Sequence, residues 1–293
     1  MLRLVLAMML LFAHNLPAHA LLAGVAPDSP AQRVDPNTTS SPWTGVGSLS
    51  VNGGTFSAVV IGPRHILTAA HVVNGAAPDK IVFNLNYGAN LSHRIPAKAV
   101  FVHPDYTGFD KKDITRDDIA VVQLSEAVPE GVAIYGLNTA PPMPGMTLTL
   151  VGYGSSGNGV EGVTVGGNPA VKRTGKNNVD AVVSDDEGSK RLEVYLYDFD
   201  GPEGTPHPGD GSTLGNGIET TVGGGDSGSP AFIESDGHWL LAGINTFQLG
   251  ATAPKFGSGG GGMLVSTYAE WIHSVLNRFT HVTEGQNKLH HPN

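Results

Sequence analysis

The sequence predicts an all-β fold of two successive strand series followed by one helix, and three observations carry that expectation. Of 293 residues only 15% are charged, while Gly (40) and Pro (20) abound; short strands joined by many turns use residues this way, long helices do not. From Trp43 the chain runs through "GVGSLSV", "TFSAVVIG", "HILTAAHVV", "KIVFNLNY", "AKAVFVHP" and "DIAVVQLS", six apolar runs separated by Gly, Pro and Asn. A Pro-rich connection, "YGLNTAPPMPGM", then leads into a second series: "TLTLVGYG", "VKRTGKNNVDAVVS", "RLEVYLYDF", "GSPAFIE", "HWLLAGINTF" and "GGMLVSTY". The six runs of the first series suit a small closed barrel, and the connection marks the boundary between the two series.

The remaining elements follow in chain order. Residues 1–20, "MLRLVLAMMLLFAHNLPAHA", carry one positive charge at Arg3, an apolar run from Leu4 to Ala13 and the small-residue site Ala18-His19-Ala20. They read as a secretory signal peptide, too short in its apolar run to span a membrane. Residues 21–41 form a polar, Pro-containing arm or short pro-segment with no periodic pattern. The barrels are expected over about 42–135 and 146–265, with the Gly-rich stretches 154–168 and 201–217 as long surface loops. "STYAEWIHSVLNRF" sets Tyr268, Trp271, Ile272, Val275, Leu276 and Phe279 on one face at helical spacing, which predicts a helix over about 266–279. The tail 280–293 has no pattern and is expected to be mobile.

Composition also excludes functions. The formal net charge is −9, and Arg3 is the only charged residue of the leader, so its removal leaves the chain no less acidic. Nucleic acid and anionic membrane select for a Lys and Arg surplus, and neither is expected as a partner. There is no cysteine, which rules out disulfides, zinc–thiolate sites and cysteine nucleophiles. The acidic turns of "DFDGPEGTPHPGDG", 198–211, are loosely like a calcium loop but lack ligand spacing, so a solvated acidic loop is expected and no metal.

Acyl transfer by serine needs a base within hydrogen-bond reach, an acid that orients the base, and donors aimed at the developing oxyanion. "LTAAHVV" puts His71 at the end of an apolar strand, "DDIAVVQL" puts Asp118 just ahead of a buried strand, and "GGGDSGSP" puts Ser227 on a turn where Gly225 and Gly228 let the backbone bend. Taken singly, a histidine among twelve is more often a surface or core residue, and a Gly-Ser cluster is more often a plain loop. A nucleophile elbow does not fit, because its order is Ser, acid, His and it needs Gly where Ser229 stands.

The words Ala-Ala-His, Asp-Ile-Ala and Gly-Asp-Ser-Gly in that order resemble the chymotrypsin-like, or trypsin-like, serine protease family. The likeness runs from about Pro42 to Phe279 and includes "HPDY", "LVGYG", "LAGINTF" and the closing Tyr268, Trp271 and Ile272. It implies two packed six-stranded antiparallel β-barrels, and a serine endopeptidase without metal or organic cofactor that acts as a monomer on protein or peptide substrates. Ser227 is implied as nucleophile, His71 as base and Asp118 as the acid, with Gly225 and Ser227 N–H groups as the oxyanion hole. Asp117 competes with Asp118; strand alternation points the two in opposite directions, and the family word begins immediately before Ile119. Val72 stands where many members have a cysteine, and this together with "GDSGSP" resembles the bacterial, exported, disulfide-free branch.

The same resemblance assigns the pocket to Thr221, Thr246, Phe247 and Gln248. Thr221 stands where a trypsin has its aspartate, and no histidine replaces it, so uncharged side chains are the expected preference. Gln248 is expected to narrow the entrance, and Thr246 to support the buried Asp118. Asp226 needs a cationic partner, which the family supplies as a newly released α-amine. Val25 is the favoured source, Arg33-Val34 offers a trypsin-type site, and a start at Leu21 with no activation step is the third reading. The rivals to a general endopeptidase are a non-catalytic binding module and an esterase-like or single-substrate enzyme.

Overall fold

The computed structural model describes residues 21–108, 117–185, 187–202, 211–250 and 254–287, with side chains up to residue 278. The expected signal peptide, most of the loop before Gly211 and the end of the tail lie outside the described residues. In chain order the strands are β1 (Leu21–Ala23), β2 (Val46–Val51), β3 (Gly54–Gly62), β4 (His65–Thr68), then one helical turn α1 (Ala70–Val73), β5 (Ile81–Leu85), β6 (His93–Val102), β7 (Ala120–Leu124) and β8 (Gly136–Leu137). They continue as β9 (Thr147–Gly152), β10 (Ser156–Asn158), β11 (Gly162–Val165), β12 (Arg173–Asn178), β13 (Ala181–Ser184), β14 (Leu192–Asp198), β15 (Pro230–Ser235), β16 (His238–Leu249), β17 (Gly259–Leu264) and the helix α2 (Val265–Asn287).

The first series closes into a barrel in the order β2-β3-β4-β7-β6-β5. Alternation along these strands buries both faces. Val59, Leu67 and Val121 point to a core shared with Val151, Phe232 and Ile244 of the second series, while Ala58, Val60, Ile66 and Val122 fill the barrel interior with Leu49 and Phe83. That double burial explains why the runs read as continuously apolar, and each fully buried Val, Leu or Ile contributes about 1.5–3 kcal/mol.

The second series runs β12-β9-β15-β16-β17-β14-β13. Its two end strands are successive segments of the chain, joined through Val179 and Asp180, so one bent strand over 173–184 brings the sheet back on itself. Leu148, Leu150, Tyr195, Ala231 and Leu264 fill its interior. Helix α2 lays Tyr268, Ile272 and Val275 onto the shared core.

Several expectations need correction. The stretch 154–168 is not wholly a surface loop: β10 and β11 pair antiparallel there, and β1 adds to β10 in parallel, Leu21 against Ser156. The arm over 21–41 docks on the second series, where Asp35 N donates to Lys172 O and Thr174 N to Arg33 O. His71 sits on a helical turn rather than in the strand. Helix α2 passes residue 279 and ends at Asn287; the segment after 279 lacks apolar periodicity and marks no boundary in the sequence.

Candidate active site

β4 and β7 pair antiparallel with Thr68 opposite Ala120. That register brings the residues just past β4 beside those just before β7. His71 N donates to Asp118 Oδ1 at 2.8 Å, and the ring Nδ1 lies 2.6 Å from Asp118 Oδ2. A carboxylate only accepts, so Nδ1 carries the proton and Nε2 is left as the basic nitrogen. Asp118 is buried and His71 half-buried.

Asp117 turns the other way, in a left-handed backbone conformation at φ 51°. Its carboxylate lies 3.3 Å from His103 Nδ1, and its N–H donates to Glu193 Oε1 at 3.1 Å. Tyr268 from α2 donates to the same Glu193 oxygen at 2.8 Å. Burial first, then the Asp117 and Glu187 charges, push the Glu193 carboxyl up to about 7, against the pull of those hydrogen bonds. Burial also lowers the His103 pKa. A buried polar cluster thus stands directly behind the acid that grips His71.

The loop that carries Ser227 closes against this turn. Gly225 and Gly228 have φ of +95° and +81°, and a Cβ on Gly228 would stand 2.0 Å from Thr68 Oγ1 and 2.3 Å from Ser57 O. Only glycine lets the backbone after Ser227 press on the end of β4, just before His71. Ser57 N donates to Ser227 O at 3.1 Å, and Gly228 N to Asn245 O at 2.8 Å. Asn245 also donates through Nδ2 to Ser229 Oγ at 3.0 Å and accepts at Oδ1 from the Tyr195 and Tyr197 hydroxyls at 2.9 and 3.0 Å. Among the described residues the N–H groups of Gly225 and Ser227 have no hydrogen-bond acceptor, and both residues are half-buried, with Gly224 exposed beside them.

Asp226 is fully buried between these groups. It accepts from Gly154 N at 2.8 Å, Gly223 N at 2.9 Å and Leu21 N at 3.3 Å. Glycine is needed in the facing strand end, where a Cβ on Gly152 would meet Asp226 Oδ1 at 2.2 Å. Burial raises the Asp226 carboxyl to about 6, opposed by the three backbone donors and the Arg173 charge.

Comparisons with known proteins fit this arrangement. A family model described as Trypsin matches residues 32–192, more than half of the chain. The chain belongs to the trypsin family. It is a serine-type peptidase, a hydrolase acting on protein or peptide substrates. The solved structure of neuropsin, a serine protease expressed in the limbic system of mouse brain, superposes with a TM-score of 0.60 at 20% identity, covering 87% of this chain and 99% of that one. At that identity the likeness speaks to the fold: trypsin-like barrels with a closing helix.

Within this trypsin-family frame several residues singled out in the sequence have contacts of their own. In the uncleaved chain the peptide N–H of Val25 donates to Asn216 O at 2.8 Å, and the nitrogen at Asp226 is the peptide N–H of Leu21, which is fully buried. Arg33-Val34 is no open cleavage site, because the Arg33 guanidinium binds Asp28, Ile218 O at 2.8 Å and Glu219 O at 2.9 Å. Thr246 does not hydrogen-bond Asp118: a β-bulge between Asn245 and Phe247 leaves it unpaired, its hydroxyl buried without a partner among the described residues. The acidic stretch 198–211 is not solvated throughout, since Asp198 at its start is buried.

The residues expected to line the pocket have these surroundings. Thr221 is fully buried, its hydroxyl unpartnered among the described residues. Gln248 reaches across from β16, donating through Nε2 to Val222 O at 2.7 Å. Phe247 packs on β17, its ring 2.7 Å from a Cβ built on Gly261. Sequence reading missed Asn245, Tyr195, Tyr197 and Glu193. Tyr197 in particular brings its hydroxyl within 2.7 Å of a Cβ built on Gly260, and its only signal was a polar-tipped aromatic in a buried strand.

Proposed function

We propose that the protein is an exported serine endopeptidase of the bacterial, disulfide-free branch, working through Ser227, His71 and Asp118. The observation that carries this is the double hold of Asp118 on His71, through backbone N–H and ring Nδ1, beside a loop that can bend only because Gly225 and Gly228 are glycine. Ser227 Oγ attacks the scissile carbonyl carbon while His71 Nε2 takes its proton. The oxyanion is received by the N–H groups of Gly225 and Ser227. The proton passes to the leaving amine, and water, activated by the same nitrogen, releases the acyl group.

Cleavage after uncharged residues fits a buried Thr221 and the crossing Gln248. Export fits the leader over residues 1–20, and its cleavage after Ala20 gives the α-amine that Asp226 calls for at Leu21. The chain acts as a monomer. A fluorophosphonate probe should label wild type and not Ser227→Ala, and a peptide-library profile should favour uncharged residues before the cut. Labelling that survives Ser227→Ala, or a profile dominated by Lys, Arg or Glu, overturns the reading.

A further inference from the structure

Behind the wall of the primary pocket, acidic side chains from separate segments converge. Asp198 ends β14, Asp200 follows it, and Glu219 precedes the pocket residue Thr221 by two positions. A carboxylate oxygen of each lies within 4.8 Å of the others. Asp180, in the link between β12 and β13, adds a fourth carboxylate, its Oδ2 accepting from Asp198 N at 2.6 Å. Glu219 is held in place by Asp200 N at 2.9 Å and Leu214 N at 2.6 Å, one on each oxygen, which leaves lone pairs on both.

Two features separate this cluster from a solvated acidic loop. Asp198 is 4% and Glu219 0% exposed. Asp198 Oδ2 is buried with no hydrogen-bond partner among the described residues, and the charges acting on it are those of Asp180, Asp200 and Glu219. A buried carboxylate oxygen with no donor, facing three like groups, is costly unless a cation, or a proton shared between two of the carboxyls, stands among them.

We propose that Asp180, Asp198, Asp200 and Glu219 form a divalent-cation site, and that its ion is calcium. The donor set is all oxygen and mostly carboxylate, which selects a hard cation over zinc or copper. At Ca–O distances of about 2.3–2.6 Å, oxygens on one ion are separated by up to about 5 Å, which the spacing among Asp198, Asp200 and Glu219 satisfies. The ligands come from three stretches of chain, which is why no loop motif announces them. The ion would tie the end of β14, where Tyr197 backs the pocket, to the segment leading into Thr221. The assignment of that pocket follows the proposed peptidase reading, but binding does not depend on it.

The test uses full-length Ser227→Ala protein, stripped with chelator and titrated with calcium chloride by calorimetry, so that the binding result stands whether or not the catalytic reading does. One calcium per chain is expected, with a dissociation constant of about 0.1–1 mM, typical of extracellular sites, and a thermal midpoint that rises with calcium. Asp200→Asn, at a half-buried position, and Glu219→Gln should each weaken binding about tenfold or more. In the active enzyme, calcium should lower KM for peptides more than it changes kcat. No heat and no midpoint shift up to about 10 mM calcium, which would mean that protons alone neutralise the cluster, overturns the proposal. So does unchanged affinity in both variants.

Discussion

Protein that begins at Leu21 should be far more active than protein that keeps a few residues ahead of it, although both fold. With the Leu21 N–H as donor, burial holds the Asp226 carboxyl at about 6 against an ordinary 3.8. A rise of that size is worth about 3 kcal/mol, the free energy by which the ionised carboxylate strains its surroundings. The sign follows from the raised pKa: the group favours the ordered loop below about 4, loses that contribution as pH rises through about 6, and stays unfavourable above. An α-amine at Leu21, whose nitrogen lies 3.3 Å from Asp226 Oδ2, would offset most of the cost. At about 3 kcal/mol the extended protein should therefore show about 100-fold lower kcat/KM at pH 8. The gap should narrow toward pH 5, where Asp226 is protonated in the extended form. The assay is initial rates from pH 5 to 8 on a peptide substrate for the two forms, with N-terminal sequencing to establish each start. Equal activity, or a ratio that does not change with pH, refutes the reasoning.

Glu193→Gln should remove a pH dependence of stability: a carboxyl raised to about 7 from 4.5 costs stability as pH climbs between those values, so the variant should melt higher than wild type at pH 8 and gain nothing at pH 4. Thermal melts at the two pH values check it. Gly228→Ala must place a methyl 2.0 Å from Thr68 Oγ1 at φ +81°, and should cost more than about 2 kcal/mol of stability together with nearly all turnover, read by denaturant unfolding and rate. Gln248→Gly removes the arm that donates to Val222 O, and should lower KM for bulky uncharged side chains before the cut without changing that for alanine, measured on a matched peptide series.

What could be read from the sequence follows from how local each determinant is. The first barrel was legible because alternation between two cores makes its strands uniformly apolar, as Val59, Val60 and Ile66, Leu67 show. Asp118 was separable from Asp117 by its place immediately before Ile119; the two side chains diverge because Asp117 takes a left-handed backbone at φ 51° ahead of β7, one reaching His71 and the other His103. β10 and β11 were missed because Ser156 to Val165 is Gly-rich, and its strands are stabilised by β1 from far upstream. Glu193 reads as an exposed charge between Leu192 and Val194 until β14 places it under Tyr268.

The partner of Asp226 could not be read from spacing, because the reach of an arm depends on where it is pinned. Arg33 is bound by Asp28 and by the carbonyls of Ile218 and Glu219, and Arg173 Nε donates to Pro30 O at 2.6 Å. These contacts hold the middle of the arm on the second barrel and turn Val25 to Asn216. Leu21 and Leu22 then become the residues that enter, Leu22 N donating to Thr221 O at 3.0 Å. That hydrogen bond links Leu22, next to the Leu21 nitrogen at Asp226, to Thr221. Anything that displaces Leu21 from Asp226 must therefore disturb Thr221 as well, so a misplaced N-terminus should raise KM along with lowering kcat.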